Sequence, residues 1–297
     1  MNSIEGGDNQ MQQSNGKIRI GRIDYTNVWP IFFYLPYDQL DPRLEFIQQV
    51  PTQLNRGMAS GEIDMGPISA FAYAAAYPDY LLYPNLSVSA LGKVNSILLF
   101  HKKPLEEIAN GRIKLPTTSA SSVNLLKIIL QKFYGGSPDY AYEEPSLEQM
   151  MRDADGALLI GDDAIRASWT SHPYLVTDLG EKWYELTGLW MSFAVWAIRK
   201  DTSRRYPETV SLLFDAFLRS KEQGMREPEA MVREAQRTIG GTEEYWSNYF
   251  RQLTYDFGPD QWKGLTTYYK YAKELGLLER EVSVELWTDK TAAQVNE

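Results

Sequence analysis

Apolar and polar positions follow two rhythms along the first two hundred residues. "KIRIGRI", "LEFIQQV" and "EIDMGPIS" read as extended strands. "PTQLNRGMASG" reads as a helix stopped at Gly61, and "WPIFFYLPYDQL" as a short apolar helix or turn. "NSILLFHKK" has the pattern of a buried strand ending in charge. In "GRIKLPTTSASSVNLLKIILQKFYGG" the residues Val123, Leu126, Ile129, Leu130 and Phe133 recur at helical spacing, after a serine-rich turn and before Gly135 and Gly136. That stretch predicts a strand, a turn and an amphipathic helix. "GALLIGDDAI" repeats the arrangement with Asp162 and Asp163 at the turn, and "SFAVWAIRK" is a late strand. The alternation predicts an α/β fold with a mostly parallel sheet covered by helices. After residue 200 the pattern is helical alone, from "YPETVSLLFDAFLRSKEQG" to "PDQWKGLTTYYKYAKELG". There is no internal repeat and no low-complexity linker.

Length changes this picture from one unit to two. With 297 residues, 43% of them hydrophobic, the chain exceeds the usual size of one compact domain, so two lobes are expected. Without a linker, the lobes must join through short crossings, for which "FHKKP" at 100–104 and the segment 188–197 are the candidates. Residues 1–16 carry no apolar run and are expected to form a loose tail. No stretch approaches the roughly 20 unbroken apolar residues of a membrane helix. A soluble, cytoplasmic protein with no membrane partner is therefore expected.

Composition removes several chemistries. The absence of cysteine excludes disulfides, thiolate metal sites and a cysteine nucleophile. The two histidines, His101 and His172, cannot form a multi-histidine metal centre; the first is expected at the surface and the second in a loop. A net charge of -9 without a basic run argues against nucleic acid as a partner, because phosphate neutralisation needs clustered Lys and Arg. A small anion can still be held by backbone N–H groups at helix starts.

In open α/β sheets ligands collect where strands hand over to helices. Five such stations carry small hydrogen-bonding groups: Tyr25, Thr26 and Asn27 after the first strand; Ser69 after "EIDMGPI"; Asn95 and Ser96 beside "ILLF"; Thr117 to Ser122 after "IKLP"; and Asp162 after "ALLIG". Each has a plainer reading beside the functional one. Ser119, Ser121, Ser122 and Asp162 suit helix caps, Asn27 suits a turn, and Ser69 and Ser96 suit the pairing of backbone groups within the fold. Tyr25, Phe193 and Trp196 suit the core, and the aromatics of "YWSNYF" and "TTYYKYAKEL" suit helix packing. Capping and ligand binding are compatible, since a capped helix still presents spare N–H donors.

The ordered blocks "IGRIDYTNVWP", "LNRGMASGEIDMGPISAFAYA", "GKVNSILLF", "SASSVNLLKIIL", "LLIGDDAI" and "DLGEKWYELTGLWMSFAVWAIR" resemble the chorismate dehydratases of the futalosine route to menaquinone. The likeness covers roughly residues 17 to 200. It implies a two-lobed fold similar to type 2 periplasmic solute-binding proteins, with a ligand cleft between lobes and a helical C-terminal part. The first lobe would be 17–100 with 191–297, the second 101–190. It also implies dehydration of chorismate to 3-[(1-carboxyvinyl)oxy]benzoate without a cofactor or metal. Asn27 and Ser96 would be catalytic; Tyr25, Ser69, Ser119, Ser121, Ser122 and Asp162 would bind substrate. The proton acceptor stays open between Asp162 and the substrate's own enolpyruvyl carboxylate. Two departures stand out: Trp190 occupies a position where the family has proline, and Ser-Ala-Ser-Ser replaces the more usual Ser-Arg-Thr-Ser, which removes a cation. The rival functions are a later enzyme of the same route that makes a naphthoate, and a solute-binding receptor or sensor. The first would be expected to use a histidine, and neither histidine lies in a quoted motif. The second would be expected to carry an export signal and a lipid-anchoring cysteine. No oligomeric state is read from the sequence.

Overall fold

A computed structural model describes residues 16–23 and 25–289; the expected tail lies almost wholly outside the described residues. Ten strands are described: β1 (Ile18–Ile23), β2 (Leu44–Gln49), β3 (Met65–Ser69), β4 (Tyr80–Ala90), β5 (Ile97–His101), β6 (Arg112–Pro116), β7 (Asp139–Glu143), β8 (Gly156–Ile160), β9 (Leu175–Asp178) and β10 (Met191–Arg199). They form two five-stranded sheets, ordered β2-β1-β3-β10-β4 and β7-β6-β8-β5-β9. Burial explains which runs become central strands. β3, β5 and β8 are buried at every position and β10 at all but its last, so both faces are covered and the sequence is mostly apolar. The edge strands β2 and β9 alternate or stay exposed.

Two expectations are corrected here. The sheets are mixed, not mostly parallel. β1 pairs in parallel with β2 and β3, and β6 with β7 and β8, whereas β10 runs antiparallel to β3 and β4, and β5 antiparallel to β8 and β9. The cause is connectivity: the chain leaves the first sheet through β4 into β5 and comes back through β10. The first passage between sheets also lies earlier than "FHKKP". β5 belongs entirely to the second sheet, so the chain crosses between Ala90 and Ile97; the return falls between Asp178 and Met191.

The helices follow the sequence pattern closely. Pro51–Ser60 ends at Gly61 with φ 80°, Ser121–Ile128 follows the serine turn, and Gly161–Trp169 follows β8. The final helices, Pro207–Arg226, Glu229–Thr238, Glu243–Gln252 and Pro259–Glu274, pack largely on the first sheet and along the crossings. One continuous apolar core joins residues of both sheets with Trp183, Trp196, Trp246 and Tyr268, all fully buried. His101, expected at the surface, is buried as well. It ends β5, which is flanked by β8 and β9, and its ring nitrogens lie 2.7 Å from the Lys103 carbonyl oxygen and 2.9 Å from Thr177 Oγ1. Burial holds this imidazole below its ordinary pKa. His172 lies outside helix and strand, stacked on Tyr174.

Candidate active site

The sequence-derived candidates fall into two contact groups, each joining a strand-to-helix handover of one sheet to one of the other. The first surrounds Gly161, at the handover from β8 to its helix. Gly161 has φ 58°, and a Cβ at this position would lie 2.8–3.0 Å from the ring atoms of Tyr25, so the tyrosine from the first sheet lies flat against backbone of the second. The Gly161 N–H donates to the Ser96 carbonyl at 2.7 Å. The next residue, Asp162, is 8% exposed and accepts from the Thr26 hydroxyl at 2.6 Å and more weakly from the Thr26 N–H at 3.4 Å. Asp162 does not cap its helix. The cap position is Ile160, and the carboxylate instead bridges the two sheets. Burial pushes its pKa up, against the pull of the Thr26 hydrogen bonds.

Asn27 follows Thr26 in the one-turn helix Thr26–Val28, and its Oδ1 is buried without a hydrogen-bond partner. Unpaired buried acceptors are uncommon in folded proteins and call for an explanation. Ser96 is 1% exposed; its hydroxyl accepts from the Tyr249 hydroxyl at 3.0 Å and donates to the Val94 carbonyl at 3.3 Å.

The second group lies at the starts of helices Ala70–Ala76 and Ser121–Ile128. Ser69 caps the first by accepting from Ala72 N–H at 3.1 Å, and exchanges hydrogen bonds with the side chain of Asn55. The N–H of Phe71, the second residue of that helix, donates across to the Ser121 hydroxyl at 3.1 Å. Ser119, one residue before the cap position Ala120, accepts from Ser122 N–H at 3.3 Å, whereas Ser121 and Ser122 are the first two residues of the helix and do not cap it. Adjacent tyrosines of helix Pro259–Glu274 bind both starts: Tyr268 donates to the Ser121 carbonyl at 3.1 Å and Tyr269 to the Ala70 carbonyl at 2.7 Å.

Several contributors have no role assigned from the sequence pattern. Thr26, read only as part of a polar cluster, is the partner of Asp162. Asp178 accepts from four backbone N–H groups, those of Val94, Asn95, Gly180 and Glu181, at 2.6–3.1 Å, and thereby fixes the crossing that carries Ser96. Tyr249, read as packing, reaches Ser96 from the C-terminal helices. Trp190 contributes its carbonyl to the indole N–H of Trp183 at 3.0 Å. Among the described residues no three His, Cys, Asp or Glu side chains gather as metal ligands, and no helix is long and apolar enough to cross a membrane.

Two α/β lobes joined by crossings, with polar helix starts facing one another, define a periplasmic-binding-protein-like fold. Among solved structures the chain is similar to the periplasmic aliphatic sulphonate binding protein SsuA from Escherichia coli (13% identity, TM-score 0.66, covering 93% of this chain and 94% of that one). It is also similar to protein AF1704 from Archaeoglobus fulgidus (20% identity, TM-score 0.67, covering 89% and 100%). At these identities the likeness concerns the fold alone.

Residues 18–274 match the family described as "Menaquinone biosynthesis", and the chain belongs to that family. Over 200 residues it is 36% identical to a chorismate dehydratase of Thermus thermophilus, covering 61% of this chain and 70% of that protein. Over 199 residues it is 28% identical to a chorismate dehydratase of Campylobacter jejuni, covering 64% and 74%.

Proposed function

We propose that this chain is a chorismate dehydratase of menaquinone biosynthesis, converting chorismate to 3-[(1-carboxyvinyl)oxy]benzoate in the cleft between its lobes. Membership of the family and the two dehydratase relatives support the reaction. The structural observation that carries the reading to a site is the buried, unpartnered Oδ1 of Asn27 beside the Thr26 bridge to Asp162. The lobes comprise the segments around the first and second sheets, joined at 91–96 and 179–190. Tyr25, Ser69, Ser119, Ser121, Ser122 and Asp162 line the substrate's place; Asn27 and Ser96 act on the reacting part.

The reaction breaks the C–H bond at the ether-bearing ring carbon and the C–O bond of the neighbouring hydroxyl. Proton and hydroxide leave together as water, and the ring becomes aromatic. The proton is acidified by conjugation with the ring carboxylate, so donors at that carboxylate lower the barrier most. Serine hydroxyls and helix-start N–H groups are such donors. The proton passes first to the substrate's own enolpyruvyl carboxylate, held close by the cleft, and from it to the departing hydroxide, which leaves as water. Asp162 is the less suited acceptor, because one of its oxygens already receives the Thr26 hydroxyl and the carboxylate is tied to structure. Drawing the lobes together excludes water during the step.

Incubation of the protein with chorismate, followed by mass spectrometry, tests the reading: a product lighter by one water is expected. Binding of chorismate without conversion would favour a receptor or sensor. Asn27→Ala is expected to lower turnover by about 100-fold or more while keeping the fold, the scale of losing one preorganised polar contact to a transition state. Turnover at the parental rate would remove Asn27 from the mechanism.

A further inference from the structure

The helix Glu243–Gln252 holds a second unexplained group near the same place. The Tyr245 hydroxyl is buried and has no hydrogen-bond partner. Its ring is fixed on several sides: stacked on Tyr249 at 6.1 Å and 10°, and met edge-on by Trp169 at 4.9 Å and Trp246 at 5.2 Å. Tyr249 is the residue that bonds Ser96, and Trp169 closes the helix that begins with Gly161 and Asp162. A ring so firmly held, with its one polar atom shielded and unpaired, calls for an explanation.

The surroundings restrict what that is. Burial and the charges of Asp162 and Asp178 hold the phenol well above its ordinary pKa, so it stays protonated and can donate. The same two carboxylates disfavour an anionic ligand atom at this point and leave a neutral oxygen as the suitable partner. Asn27 supplies the complement. Its unpaired Oδ1 is an acceptor on the residue after Thr26, which bonds Asp162, whereas Tyr245 offers an unpaired donor on a ring stacked against Tyr249, the partner of Ser96. An alcohol is the group that gives one hydrogen bond and receives another.

We infer that Tyr245 is a specificity-determining contact for the ring hydroxyl that the substrate loses: its phenol donates to that hydroxyl, which in turn donates to Asn27 Oδ1. This rests on the chorismate reading of the cleft. The dehydrated product lacks the hydroxyl, so the contact distinguishes substrate from product, as sites built to hydrogen-bond an alcohol reject analogues without it.

Tyr245→Phe in the full chain removes only the hydroxyl. Three quantities test the proposal: the melting temperature, kcat/KM for chorismate, and the affinity of 3-[(1-carboxyvinyl)oxy]benzoate as an inhibitor. The melting temperature is expected to hold or rise, since an unpaired buried polar atom is lost; kcat/KM is expected to fall about tenfold, the scale of one neutral hydrogen bond; product affinity is expected to stay unchanged. Equal losses for substrate and product, or a lowered melting temperature, would assign Tyr245 to structure and overturn the inference. Unchanged kcat/KM would overturn it as well. Wild-type protein that leaves chorismate intact would instead overturn the reading of the cleft beneath it.

Discussion

Asp162 is the residue on which the plainest chemical choice turns. It is buried, its pKa is raised by that burial, and its Oδ1 receives the Thr26 hydroxyl at 2.6 Å. If the substrate supplies the base, Asp162→Asn keeps an acceptor for Thr26 and retains most of its turnover. If Asp162 takes the proton, the variant loses about 100-fold or more, the scale of a general base. Steady-state kinetics on a variant with an unchanged melting temperature decides between them. The position of Asp162 was legible because "ALLIGDD" reads as a strand handing over to a helix. Its role was not, because the partner lies 136 residues away and no local pattern announces a pairing over that separation. The serines near 120 show the same split. The bond from Ser122 N–H to Ser119 is local and readable, whereas the bond from Phe71 N–H to Ser121 depends on how two lobes meet. Tyr245 and Tyr249 were read as packing because aromatics on a helical face usually are. Only their hydroxyls distinguish them from the neighbouring Trp246 and Phe250.

Among the elements, the crossing 91–96 carries Ser96, which we propose acts on the substrate, and Asp178 holds it. The carboxylate at the end of β9 gathers two N–H groups of the crossing and two of the following helix Leu179–Thr187. Asp178→Ala leaves buried donors unpaired and should lower the unfolding free energy by about 1–3 kcal/mol for each donor that water cannot reach. It should also lower turnover by releasing Ser96; denaturant unfolding and chorismate kinetics measured on one preparation check both. Elements with continuous apolar runs or clear helical spacing were readable from the chain. β4 was not, because Pro84 and Asn85, the latter with φ 57°, interrupt "YLLYPNLSVSA" in the manner of a loop. β4 tolerates them as an edge strand of the first sheet, and its outer side is bonded by Thr254, Tyr255, Phe257 and Glu285 from the C-terminal part. β7 and β9 are short and partly exposed, and gave too little pattern to read.

For the whole molecule, the two-lobed plan followed from length, alternation and family likeness, while the place of the first crossing and the direction of the return strand did not. Those depend on β5 joining the second sheet through partners that come later in the chain. The same burial of β5 links global stability to pH. His101 is held below its ordinary pKa of 6.5, so the folded chain binds fewer protons than the unfolded chain just below that pH. Its contribution to stability is therefore complete above about pH 6.5 and is lost as the pH falls towards the depressed folded value. The melting temperature of wild type should drop more on acidification through this window than that of His101→Gln, and parallel curves would contradict the assignment. The claim that unites residue, element and molecule is that donors from both lobes converge on one chorismate. A crystal structure of Asn27→Ala soaked with chorismate tests this most directly. Intact chorismate is expected between the sheets, within hydrogen-bonding distance of Ser96 and of the turn at 119–122. Chorismate bound elsewhere on the protein, or touching only one lobe, would contradict it.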